Sequence, residues 1–160
     1  MGLKEIHPAN VRLDEPRLQI AALPFRRRKK LEIMLVSTLD SGRWVIPKGW
    51  PMKGISSHEA AAQEAFEEAG LIGEIADTAV GQFHYFKRKK NGAVWLCRVD
   101  VYPLQVKEQR RIWPEKALRK TKWFPVEQAA MAVSDQELGE LLINWAATLK
   151  MSGDAGQPAK

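Results

Sequence analysis

Apolar and polar positions alternate between two rhythms along this chain. Arg17 to Phe25, RLQIAALPF, and Leu31 to Thr38, LEIMLVST, are short apolar runs that read as strands. The charged tract Arg26 to Lys30 between them reads as a solvated turn, with a phosphate or nucleic-acid patch as the alternative. Asp40-Ser41-Gly42 marks a further turn before Arg43 to Gly49. Ser56 with Glu59 is a capping box, Gly70 is a helix stop, and Ala62, Ala65, Phe66 and Ala69 recur at helical spacing between them. Gly81 to Phe86 and Ala93 to Leu104 are strand-like, and Asn91-Gly92 between them is a strong hairpin signal. Phe83, Tyr85 and Trp95 read as core, with stacking on a base as the other use for one of them. Lys122-Trp123-Phe124 opens a short strand, and Pro125 starts a helix ending near Val133. Ser134 with Glu137 predicts a second capping box, followed by the stripe Leu138, Leu141, Leu142, Trp145 and Leu149. The expected fold class is therefore α/β of the α+β type, a mixed sheet between helices. One domain spans 16–150, after an N-terminal arm at 1–15 and before a disordered tail at 151–160.

Composition narrows the classes. With 160 residues the chain can bury a core without staples, and its lone cysteine, Cys97, allows no internal disulfide and suits a reducing compartment. Cys97 sits in a strand-like run and reads as a buried, inert thiol. No apolar run is long enough to cross a membrane, and the N-terminal residues lack a signal-peptide core; Ile6 also breaks a myristoylation pattern. A cytoplasmic location with no membrane partner is expected. The net charge of +6 favours anionic partners without choosing among them.

The chemistry is concentrated in GWPMKGISSHEAAAQEAFEEAGL, Gly49 to Leu71. Glu64, Glu67 and Glu68 share a helix face distinct from the apolar one. Like charges at i,i+4 cost roughly 0.2–0.5 kcal/mol per pair, and acids in a last turn oppose the helix dipole. A hard divalent cation among them, Mg²⁺ or Mn²⁺, accounts for both; the plainer account is a solvated acidic face.

This stretch resembles the Nudix box of the Nudix hydrolases. Gly49, Glu64, Ala65, Glu67, Glu68, Gly70 and Leu71 fall at the required spacings, while Ile55 and Gln63 stand where the box has Glu and Arg. We read the two departures as matched, an ion pair between loop and helix replaced by neutral contacts. The resemblance implies an α/β/α sandwich over residues 17 to 150, with Glu64, Glu67 and Glu68 as catalytic residues and, together with Gly49, the metal site. LVSTLDSGRWVIPKGW is similar to the approach to the box in the diphosphoinositol- and diadenosine-polyphosphate branch. That similarity implies phosphate contacts from Arg43, with Ser37 and Arg17 as weaker candidates. Lys48 is a second cation at the same mouth, and a guanidinium fork suits phosphate oxygens. The basic segment Lys107 to Trp123 is similar to the substrate-facing loop of that branch, with Arg111, Arg119 and Lys120 as possible contacts and Glu115 as a further ligand or base. His84 reads as structural, having no second ligand at metal spacing.

The implied reaction is metal-dependent hydrolysis of a phosphoanhydride in a nucleoside diphosphate derivative, a dinucleoside polyphosphate or a diphosphoinositol polyphosphate. A binding module that senses nucleotides without cleaving them is the runner-up. Nucleic-acid binding ranks third, because no base-reading motif accompanies the basic tracts.

Overall fold

The computed structural model describes residues 15–156. Eight strands form one mixed sheet: β1 (Arg17–Arg27), β2 (Leu31–Ser37), β3 (Trp44–Val45), β4 (Lys48–Gly49), β5 (Leu71–Ile75), β6 (Gly81–Arg88), β7 (Val94–Gln109) and β8 (Thr121–Pro125). Among the described residues three helices accompany them: α1 (Ser57–Ala69), α2 (Val126–Ala132) and α3 (Gln136–Gly156). α3 continues to Gly156, past residue 151 where the tail was expected to begin. Residues 1–14 of the expected arm, and 157–160, lie outside the described residues.

β7 is the spine. It runs parallel to β1 from Cys97 to Gln105, while β6 lies antiparallel along its first half and β5 along its last. The parallel β1–β7 pair makes the sheet mixed. Gln19 to Pro24 are buried without alternation, as happens when both faces of a strand are covered. α1 packs across β1. From α3, Trp145 meets Phe25 edge-on at 5.1 Å. Ile20, Leu23, Ile33, Leu35, Phe83 and Leu142 are among the core side chains with no exposed surface.

The basic tract does turn between β1 and β2, closed by Arg28 N–H donating to the Lys30 carbonyl at 3.0 Å. Asn91-Gly92 makes the hairpin between β6 and β7, with Gly92 at φ 90°. β7 reaches Gln109, three residues into the stretch expected to be loop. The second capping box does not form as expected: Glu137 accepts from His84 N–H at 2.7 Å instead, so His84 has a structural partner on α3. Cys97 is buried and free, and burial pushes its thiol up. No helix among the described residues is long and apolar enough to cross a membrane.

Candidate active site

α1 is fixed at both ends by its own residues. Ser56 N–H donates to Glu59 Oε1 at 3.1 Å and Glu59 N–H donates back to Ser56 Oγ at 3.3 Å. Gly70 closes the helix at φ 71°. Its buried residues are Ala60, Ala61, Ala65, Glu68 and Ala69. The expected apolar face is thus rotated, leaving Ala62 and Phe66 at its margin and putting an acid, Glu68, on the inside.

The segment after β7 then wraps the end of α1. The carbonyls of Glu67, Glu68, Ala69 and Gly70 accept from Glu115 N–H (3.0 Å), Trp113 Nε1 (3.2 Å), Gln109 Nε2 (2.9 Å) and Arg110 N–H (2.8 Å). Helix ends leave such acceptors orphaned, and here the last residue of β7 and the loop after it supply the donors. A side chain at Gly70 would overlap the Trp113 ring, so this position must be glycine for space as well as for φ.

The wrapping brings Arg119 onto the acids. Arg119 lies 3.4 Å from Glu68 Oε2, donates from Nε to Glu115 Oε1 at 2.7 Å, and from Nη1 to the Ser37 carbonyl at 3.1 Å. Burial pushes Glu68 up to about 8; Arg119 pulls it down without winning, and Glu64 adds to the rise. Burial and the Glu67 charge push Glu64 up to about 7. On the other side, burial holds Lys48 below its ordinary range although Glu68 attracts its charge, and its ammonium sits 4.7 Å over the Tyr85 ring. Tyr85 donates to Gln19 Oε1 at 2.6 Å, which accounts for its buried hydroxyl.

Gly49 pairs with Ile20, and its backbone is pressed on Glu64 so closely that a Cβ would overlap the carboxylate. Gly49→Ala is therefore expected to displace Glu64 and cut kcat by roughly tenfold or more, as ångström-scale misplacement of a reacting group does. Steady-state kinetics with a melting curve checks this; unchanged kcat would show that the contact is dispensable.

The structure brings Lys48, Gly49, Glu64, Glu67 and Glu68 together. Arg43 is on an exposed turn, its N–H bonded to Thr38 Oγ1 at 3.0 Å, and its charge faces Asp135. Asp135, half-buried with its carboxyl pushed up by burial against the pull of Lys48 and Arg43, is a site neighbour the sequence did not reveal. Ser37 sits behind the site, its hydroxyl accepting from Lys120 N–H at 2.9 Å and its carbonyl from Arg119, so its observed part is to position that loop. Arg17 stacks 3.7 Å over Trp95, which Lys89 also approaches and which meets Trp50 edge-on at 6.0 Å. Trp95 is thus a half-covered surface ring, not core; Phe83 is core. Gln63 donates to Glu67 at 2.9 Å, one turn along its own helix, and Ile55 is exposed. The neutral contact expected between loop and helix is therefore made within α1 instead. Among the described residues no three His, Cys, Asp or Glu side chains already stand arranged around a metal position.

Comparison with known proteins bears on the family and the fold. The NUDIX domain family matches residues 15–144. The chain belongs to the Nudix family. A Nudix relative in Arabidopsis thaliana, the mitochondrial Nudix hydrolase 16, is 32% identical over 131 residues, 72% of either chain. Bos taurus diphosphoinositol polyphosphate phosphohydrolase 3-beta is 34% identical over 112 residues, covering 68% of this chain and 64% of its own. The Nudix match spans only 62–63% of two other Arabidopsis relatives, Nudix hydrolases 21 and 18. Among solved structures, the binary complex of the C. elegans Ap4A hydrolase superposes with a TM-score of 0.63 at 22% identity, over 84% of this chain and 98% of that one. The Nudix α/β/α fold is thereby shown.

Proposed function

We propose that the chain hydrolyses a phosphoanhydride bond in a small phosphate-rich molecule with the help of a divalent cation. The observation carrying this reading is the set Glu64, Glu67 and Glu68 at one helix end, with Glu64 against Gly49 and Glu68 between Arg119 and Lys48. Two of these carboxyls are driven toward their protonated forms, chiefly by burial, with Glu67 adding to the rise of Glu64 and Glu64 to that of Glu68. A donor set of hard oxygens in that state fits Mg²⁺ or Mn²⁺, which would take the protons' place. Glu64, Glu67, Glu68 and the Gly49 backbone would hold it. Such an ion supplies charge neutralisation at phosphate oxygens and acidifies water. Arg43 and Lys48 bind and orient the phosphate chain, and Arg119 keeps the acids in place. One of the glutamates, or Glu115 beside them, receives the proton from water. The buried free thiol of Cys97 suits a reducing compartment such as the cytoplasm.

The linkage between protons and folding gives a test independent of turnover. Both raised groups hold protons in the folded chain that the unfolded chain has released above about pH 4.5. Their stabilisation is full below that pH and is lost as pH rises through 7 for Glu64 and 8 for Glu68. The Tm of the metal-free protein should therefore fall between pH of about 5 and 8.5, by about 3 °C or more for each kcal/mol lost, and Mn²⁺ at the upper pH should restore it. An identical decline in Glu68→Gln would place the titration elsewhere.

The relatives act, by name, on diphosphoinositol polyphosphate or Ap4A. For this chain the substrate class is read from Trp50: exposed and next to Gly49, its ring offers a nucleobase a surface, favouring a nucleoside-bearing anhydride. A panel of dinucleoside polyphosphates, nucleoside diphosphate derivatives and diphosphoinositol polyphosphates with Mg²⁺ and Mn²⁺, reading nucleotide and phosphate products, tests this. Cleavage of nucleoside-bearing members, with KM raised in Trp50→Ala, is expected. Tight binding without cleavage of any member would instead support the sensing module.

A further inference from the structure

The acid site makes no use of the β1–β2 turn and its basic tract. In the folded chain this turn meets the far end of β7, where Arg26, Arg27, Arg28, Lys107, Glu108 and Trp123 help line a concavity of about 410 Å³. Arg26 lies six residues along β1 from Ile20, the partner of Gly49, so the arginine end of the concavity is roughly 20 Å from the Gly49–Glu64 contact at about 3.3 Å per residue, while Gln109 at its other end reaches the Ala69 carbonyl.

Its charges are unevenly matched. Arg26 Nε is 2.6 Å from Glu32 Oε1, and its guanidinium lies 4.1 Å over the Trp123 ring, so it is fixed from two sides. Glu108 is paired with Arg110 at 2.9 Å. Both nearby carboxylates are thus already engaged, and among the described residues no ion pair joins Arg27, Arg28 or Lys107 to a carboxylate. Cations converging on one concavity repel each other until an anion enters, and guanidinium forks match phosphate oxygens. The face of Trp123 that Arg26 covers is closed to the base stacking on which single-stranded nucleic acids depend. A volume of this size is that of a small-molecule site.

We propose that this concavity is a second anion site, taking a small phosphate-dense molecule such as an oligophosphate, apart from the acid cluster. The test is an amide and indole NMR titration of the full chain with inorganic tripolyphosphate, in EDTA at about 150 mM ionic strength. Saturable shifts are expected at residues 26–28 and 105–109 and at the Trp123 indole. In Arg27→Ser/Arg28→Ser these shifts should need roughly tenfold more tripolyphosphate, with Tm and the hydrolysis rate unchanged. Shifts that KCl alone reproduces, or that the double variant leaves at the same affinity, would overturn the proposal. So would single-stranded RNA moving the same signals at lower concentration than tripolyphosphate, which would assign the site to nucleic acid.

Discussion

Glu68→Gln should lower turnover by about 10³-fold while leaving the protein folded. Glu68 is 5% exposed and sits among Glu64, Lys48 and Arg119, so its charge acts where water screens little. A bound cation contributes several kcal/mol to phosphate chemistry, and about 1.4 kcal/mol is a factor of ten in rate. Gln keeps the shape and removes the charge. Arg119 still has Glu115 and the Ser37 carbonyl as partners, so no cation is stranded. Steady-state kinetics with Mg²⁺, alongside circular dichroism melting, reads both halves. Turnover within a few-fold of the parent would remove Glu68 from the mechanism.

Arg119→Met carries the largest expected loss of stability, about 3 kcal/mol or more. Its side chain is 12% exposed and binds two carboxylates and a carbonyl at once. Removing one partner of a buried ion pair leaves the other uncompensated, at a cost of roughly 3–5 kcal/mol. For a chain of this size that lowers Tm by about 10 °C. At pH of about 9, above the titration of Glu68, adding Glu68→Gln to Arg119→Met should recover part of the loss, because one of the two stranded acids is then neutral. A double variant that melts at the sum of the single losses would mean that the two groups do not interact.

What the sequence disclosed depended on how local each signal was. α1 was legible from Ser56, Glu59 and Gly70 because a capping box and a glycine stop are completed within the helix's own residues. The start of α3 was misread because Glu137 is claimed by His84, 53 residues away. β5 escaped notice because Gly73 interrupts its apolar pattern, and the register of β5 on β7 shifts there. That glycine exists for a tertiary reason, since a side chain would overlap the Gln105 carbonyl. The acids could be named in advance, but the inward turn of Glu68 could not. Arg119 was one of three basic candidates that spacing could not rank. Three acceptors, two of them from distant parts of the chain, single it out. Asp135 left no trace beyond a polar residue before a helix, because its meaning comes from Lys48 and Arg43 across the fold.

The central claim is that the glutamates of α1 bind a divalent ion against a phosphate chain. Crystals grown with Mn²⁺ and a non-hydrolysable dinucleoside polyphosphate test it most directly, through the anomalous signal of manganese. The account predicts a peak ligated by Glu64 and Glu68 beside the phosphates, lost in Glu68→Gln. Phosphates bound elsewhere, with manganese absent from these carboxylates, would contradict it.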